Sequence, residues 1–143
     1  MIPLYFEHFC GKDFCTTGEE VRAVLAKDVD GFNEFIIADA PAAPGDSPYP
    51  YLSVLVKGDC AYLWYAPDDS SAGLQVYGPE DSPLDPEDST VFHITPAGEQ
   101  LWVGNCYVCP RQTALEVVLA WMDLPAWPAC LEEMPGCVEW EEL

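Results

Sequence analysis

Basic residues are nearly missing from this chain: its 143 residues hold five Lys and Arg against 25 Asp and Glu, a formal net charge of −20. Lys12, Arg22, Lys27, Lys57 and Arg111 are scattered singly, so no basic stripe forms to release counterions from a nucleic acid. Direct DNA or RNA binding is therefore not expected. Imidazoles are equally scarce. His8 and His93 are the only two, and His93 lies in the alternating run Val91-Phe92-His93-Ile94, where a structural histidine is expected. The chain has no G-x-S-x-G, no Walker glycine loop, no dinucleotide fingerprint and no H-E-x-x-H. The zinc-deaminase signature is also absent, because no Pro precedes Cys106-Tyr107-Val108-Cys109 and Ile94-Thr95 follows His93. Carboxylate pairs are so numerous that any glycosidase-like pair could be picked at will, and they discriminate nothing. No enzyme and no cofactor are expected. No apolar run approaches a bilayer span, and Met1 to Glu7 has no basic leader, so a cytoplasmic protein without membrane contact is expected.

A disulfide framework is missing too. The seven cysteines, at 10, 15, 60, 106, 109, 130 and 137, are odd in number and unevenly spaced, as expected for reduced thiols. Cys106 and Cys109 form a C-x-x-C that could join Cys130 and Cys137, or Cys10 and Cys15, in a zinc site, but neither second pair has a common zinc spacing. Cys109 at a helix start would have its pKa lowered, as a redox cysteine needs, yet the surrounding βαβ pattern is absent. Buried, inert thiols and no metal are the preferred reading.

What is present is a globular composition, 50% hydrophobic and 13% aromatic, and a length suited to one domain over residues 1–143. A disordered acidic tail would be poor in both classes. The pattern predicts a strand over Ile2–Phe6, a turn at Gly11-Lys12-Asp13, and a helix over about 17–27 opened by the capping box Thr17/Glu20. A strand over Phe32–Ala38 and a loop from Pro41 to Pro48 follow. Then comes a hairpin, Tyr51–Val56 and Cys60–Ala66, turning at Lys57-Gly58-Asp59. Short strands at Leu74–Tyr77, Thr90–Thr95 and Gln100–Val108 continue a meander. Pro110 suits the first position of a largely buried helix running to Leu124, and Val138–Glu142 alternates as a closing edge strand. The order predicts an α+β fold, an antiparallel β-sheet meander with two α-helices packed on one face.

Self-repulsion at this charge works against the compact state, so the acids are expected to serve an encounter with a basic partner. From Asp68 to Asp88 the chain carries Asp68, Asp69, Glu80, Asp81, Asp85, Glu87 and Asp88 with no base, interleaved with Tyr77, Leu84 and Phe92. That mixture of apolar anchors and charged rim is what protein interfaces use, and these acids with Tyr77 and Leu84 are the candidate binding residues.

The segment from about residue 50 to 142 resembles the first-numbered immunity-protein family of bacterial polymorphic toxin systems. The resemblance rests on the order and spacing of several pieces. These are the hairpin Tyr51-Leu52-Ser53-Val54-Leu55-Val56 with Ala61-Tyr62-Leu63-Trp64-Tyr65, the strand Leu74-Gln75-Val76-Tyr77-Gly78, and a strand ending near Cys109-Pro110. The helix Ala114 to Trp121 and the terminal Val138-Glu139-Trp140-Glu141-Glu142 complete it. It implies a small cytoplasmic antitoxin that binds a cognate toxin domain, commonly a nucleic-acid deaminase, in an equimolar complex. Trp140 is the one residue carried over from the family's closing segment, with a structural role. The alternative is an acidic DNA mimic that inhibits another nucleic-acid-binding protein, for which the same charge would serve.

Overall fold

The computed structural model describes residues 2–40 and 48–143. In chain order the elements are β1 (Leu4–His8), β2 (Gly11–Cys15), α1 (Gly18–Leu25), β3 (Phe32–Ala38), β4 (Tyr51–Lys57) and β5 (Cys60–Ala66). They continue with β6 (Leu74–Val76), β7 (Ser89–His93), β8 (Gln100–Gly104), β9 (Cys109–Pro110), α2 (Arg111–Met122) and β10 (Trp140–Glu142). An antiparallel sheet runs in the order β10-β6-β5-β4-β3-β1-β2, and β9 adds a short pairing to β5. This is an α+β fold, with the meander preserved from β3 to β6.

The centre of the sheet is β4, and it is covered on both faces. Leu52, Val54 and Val56 point to the helix side, where Phe35, Ile37, Leu63 and Tyr65 lie beneath Val21 and Leu25 of α1 and Val118, Trp121 and Met122 of α2. Leu55, of opposite parity, packs with Phe92, Val103 and Val108 against the β7–β8 hairpin, which forms a separate two-stranded sheet on the other face. A strand sealed on both faces needs an almost unbroken apolar sequence, which Leu52-Ser53-Val54-Leu55-Val56 supplies.

Local chemistry sets the helices. Thr17 caps α1 by accepting from Glu20 N at 3.2 Å, while the Glu20 carboxylate takes Thr16 N at 3.1 Å. Pro110, with φ −61°, precedes α2 as its N-cap. From the first residue of α2 the Arg111 guanidinium reaches the C-terminal end of α1, donating to Leu25 O at 2.8 Å and to Asp28 at 3.1 Å. It thereby satisfies a carbonyl left open at the helix end. The buried Asn33 is likewise paired: its amide donates to Lys27 O and its oxygen accepts from Phe9 N and Glu34 N.

The structure departs from the sequence reading at several points. Gly11-Lys12-Asp13 is not a turn but the start of β2; the chain reverses at Phe9-Cys10, and His8 pairs with Gly11. Charged residues that resemble a loop are tolerated there because β2 is an edge strand. The first strand spans Leu4–His8 rather than beginning at Ile2. The strand expected over Gln100–Val108 stops at Gly104, where a 3-10 turn, Asn105–Tyr107, leads to β9. The β7–β8 hairpin leaves the main sheet altogether. The loop expected over Pro41 to Pro48 lies, apart from Pro48, outside the described residues. Among those residues no helix is long and apolar enough to cross a membrane.

The C-terminal strand closes the sheet as expected of an edge. Trp140 pairs with Val76 and is 9% exposed, its ring 5.8 Å from that of Trp121. Trp121 also meets Trp127 at 5.0 Å and Tyr65 at 4.7 Å, and the Tyr65 hydroxyl donates to Pro128 O. Removing the Trp140 ring opens this aromatic cluster. Trp140→Ala is expected to lower the unfolding free energy by about 3–5 kcal/mol, seen as a lower urea midpoint at an unchanged slope. A loss below about 1 kcal/mol would place the ring outside the cooperative core.

Candidate protein-binding surface

The acids from Asp68 to Asp88 do not form one loop. β6, whose Leu74, Gln75 and Val76 are buried, divides them: Asp68 and Asp69 precede it, and Glu80, Asp81, Asp85, Glu87 and Asp88 follow it. All seven are exposed. Three of these carboxylates have a local role. Asp68 accepts from Ser70 N and Oγ, Asp85 from Glu87 N at 3.0 Å, and Asp88 from Ser89 N at 2.8 Å. The buried Asn105 pins the second group: its amide donates to Asp85 O at 2.8 Å, its backbone N–H donates to Asp88 O, and its oxygen accepts from Thr90 Oγ1 at 2.6 Å. Leu84, read from sequence as an anchor, is half-buried against the Leu55–Phe92 cluster.

Tyr77 is exposed and stacks on Tyr107 with ring centroids 5.7 Å apart. Both phenols lie beside the Glu141 carboxylate, which accepts from Gln75 Nε2 at 3.0 Å. The neighbouring Glu141 carboxylate pushes the Tyr107 phenol up to about 12, and the Gln75 amide with the two phenols holds the Glu141 carboxyl below its ordinary range. Gln75 in turn accepts from the Tyr62 hydroxyl at 2.7 Å. Tyr77 and Glu80 share a cleft of about 340 Å³ with Glu116 and Glu139, so acids distant in sequence meet at the β6/β10 edge.

A second recess lies on the sheet face opposite the helices, beside the hairpin. Ser53 of β4 stands in register between Ile36 of β3 and Trp64 of β5, and its small side chain leaves a groove of about 310 Å³ between larger neighbours. One row along the strands lie Glu34, Leu55 and Tyr62, and Ile94 and Leu101 complete the wall on the hairpin side. The Trp64 ring meets Tyr51 edge-on at 5.7 Å and donates its N–H to Ala72 O at 3.1 Å. It lies on Gly73, where φ is +96° and a Cβ would collide with the indole. Glu34 is half-buried with no ion-pair or hydrogen-bond partner for its carboxylate among the described residues, and burial pushes its carboxyl upward. Leu101, 38% exposed, faces the groove from β8, and its neighbour Trp102, 67% exposed, alternates to the other face of the hairpin.

The other candidates from sequence resolve differently. Cys15 and Cys109 are buried, but Cys10, Cys106, Cys130 and Cys137 are exposed, so the reading of uniformly buried thiols fails. Cys109 is not activated by a helix start. Its sulfur faces Ala61 O inside the core, and burial pushes the thiol up to about 12. Among the described residues no three His, Cys, Asp or Glu side chains converge to hold a metal. The buried His8 ring bonds Asp13 at 2.7 Å through Nε2 and accepts from Cys10 N through Nδ1, which sets Nε2 as the donor. Together with Lys27 it holds the Asp13 carboxyl below the ordinary range. His93 stacks flat on Phe32 at 3.5 Å. Both histidines are structural.

No protein-family model and no curated protein sequence matches this chain. Its surface must therefore be read from its own chemistry.

Sequence reasoning missed Glu34, Ser53, Leu101 and Trp102. A signal existed for two of them: Glu34 is the only charge within β3, and Ser53 the only polar residue inside the apolar run of β4. Nothing local marked Trp102, because its exposure depends on where the hairpin lies.

The desolvated carboxylate has a thermodynamic consequence. Because Glu34 binds its proton more tightly folded than unfolded, the associated stability is fully present below the ordinary carboxylate range and is lost as pH rises through the raised folded-state value. Glu34→Gln is neutral throughout. It should be more stable than wild type at about pH 7, with an advantage that shrinks towards about pH 4 and exceeds that of the solvated control Glu87→Gln. Urea midpoints at the two pH values check this, and equal gains from both variants would contradict it.

Proposed function

We propose that this chain is a toxin-neutralising immunity protein that acts by binding, without catalysis, in the cytoplasm. The observation that supports this most directly is the placement of the charge. Carboxylates giving a net −20 accompany a core packed on both faces of one sheet, and the loop acids Asp68, Asp69, Glu80, Asp81, Asp85, Glu87 and Asp88 are all solvent-facing. Two of the few cations are engaged internally, Lys27 with Asp13 and Arg111 with Asp28. The remaining field favours encounter with a basic protein.

The resemblance of residues 50–142 to the first-numbered immunity family favours a deaminase toxin as that partner. Such an enzyme draws a polyanion into its groove, and an acidic protein carrying Tyr77 beside Glu80 can occupy the same field and exclude substrate. The test adds equimolar purified chain to bacterial nucleic-acid deaminase toxin domains and measures deamination of single-stranded DNA. Loss of activity with an equimolar complex in light scattering supports the reading. Failure against every deaminase, together with inhibition of an unrelated nuclease or repressor, would replace it with DNA mimicry.

Electrostatic steering makes the kinetics specific. The association rate, measured by stopped flow, should fall steeply as salt rises, since fields between exposed charges are screened beyond about 8 Å at physiological ionic strength. The variant carrying Asp81→Asn, Asp85→Asn, Glu87→Gln and Asp88→Asn keeps the acceptor oxygens that hold the turns at Asp85 and Asp88. It should fold with equal or slightly greater stability and associate more slowly. An association rate indifferent to both salt and these four changes would rule out steering by this loop.

A further inference from the structure

We propose that the groove beside the β7–β8 hairpin takes the cationic side chain of a partner protein, an arginine or lysine, with Glu34 as its counter-ion. Arginine and lysine carry an aliphatic stem behind a charged head, and such a side chain needs apolar walls together with one carboxylate. The groove offers both. Ile36, Leu55 and Ile94 line it for the stem, and the Tyr51 and Trp64 rings offer aromatic surface to a cation. Ser53 at the floor provides a hydroxyl and the space.

The decisive observation is the state of Glu34. A carboxylate withdrawn from water without a partner is costly and is normally found paired. Here it stands alone among the described residues, on a strand where an apolar residue would pack more favourably. A residue that works against stability in the free protein is accounted for by what it gains on binding. The net charge of −20 selects a basic partner. The wall favours a protein side chain over a free organic cation, because Leu101, 38% exposed at the groove, adds apolar surface beyond the charge that a larger partner covers.

Two other recesses fit a cation less well. The one between α1 and α2 is lined by Arg22 and Arg111, and the cleft at Glu80 and Glu139 has no half-buried unpaired carboxylate like that of Glu34. The occupant, a basic protein, rests on the functional reading above; the groove's preference for a cation does not.

The experiment titrates the ¹⁵N-labelled full chain with N-acetyl-arginine amide, its neutral isostere N-acetyl-citrulline amide, and choline. With the arginine probe, saturable shifts are expected at Ile36, Ser53 and Leu55 amides and at the Trp64 indole N–H, with weaker or no response to the other two. Glu34→Gln should remain folded and weaken arginine binding by at least about fivefold, the loss expected when one member of a partly desolvated charge pair is removed. Ser53→Leu, which fills the floor, should weaken it too, while the quadruple loop variant should leave it unchanged. The proposal is overturned if shifts concentrate on the 68–88 acids, if citrulline binds equally, or if Glu34→Gln binds as wild type does. Preference for choline over arginine would overturn the assignment to a protein side chain. Antitoxin activity is scored separately with the unaltered chain. A protein that inhibits deaminases but ignores the arginine probe refutes the groove alone, and one that binds the probe but inhibits none refutes the functional reading alone.

Discussion

The structure depends on β4 being packed from both sides. Leu52, Val54 and Val56 join the helix-side core while Leu55 joins the hairpin-side core, so the two apolar clusters meet through one backbone at the centre of the sheet. A slip of one residue would exchange those faces, placing Leu55 among the helices and Val54 under the hairpin. The antiparallel pairings with β3 and β5 hold it: Glu34 opposite Leu55, Ser53 opposite Trp64. The same register places Ser53 between Ile36 and Trp64. The groove is therefore a by-product of the packing that makes the fold stable.

That arrangement lets one small domain carry a large charge. Repulsion among 25 carboxylates is spread over connections and strand edges, where water screens it, while the apolar layers on either side of β4 supply the opposing free energy. Where acids do enter hydrogen bonds they steady turns, as Asp85 and Asp88 do, or tie a strand edge, as Glu141 does in accepting from Gln75. Glu34 is different. It is half-buried among apolar and aromatic neighbours with no hydrogen-bond or ion-pair partner for its carboxylate among the described residues, a chemical setting unlike that of the loop acids. Two kinds of acidic surface follow, a diffuse field suited to steering and a single carboxylate suited to recognition.

Much of the fold was legible because local rules and tertiary outcome agree. The Thr17/Glu20 capping box, the Phe32–Ala38 alternation and the hairpin through Gly58-Asp59 act within a few residues, and each appears where its chemistry places it, while Pro110 stands just before the helix as its N-cap rather than at the expected first helical position. The misreadings share a cause. Lys12 and Asp13 read as turn residues because edge-strand charges and loop charges look alike until the sheet order is known. Cys109 read as a helix-start thiol because its proximity to α2 is local, while its burial against Ala61 is not. Leu84 read as an exposed anchor because the hairpin that covers it lies in a different sheet.

Propensity, capping and net charge are sums over neighbouring residues or over the whole chain, so most element types, the helix boundaries within a few residues, the α+β class and the acidic field follow from the amino-acid order alone. It takes the packed fold to split the run from Asp68 to Asp88 by β6, to set Glu80 and Glu139 around one cleft, and to put Glu34 and Ser53 in a groove with Leu101. The last of these brings together β3 (Phe32–Ala38), β4 (Tyr51–Lys57) and a hairpin that begins only at Ser89. Such meetings depend on which face of a two-sided strand each residue occupies and on where a detached hairpin comes to rest, and neither is encoded in local spacing.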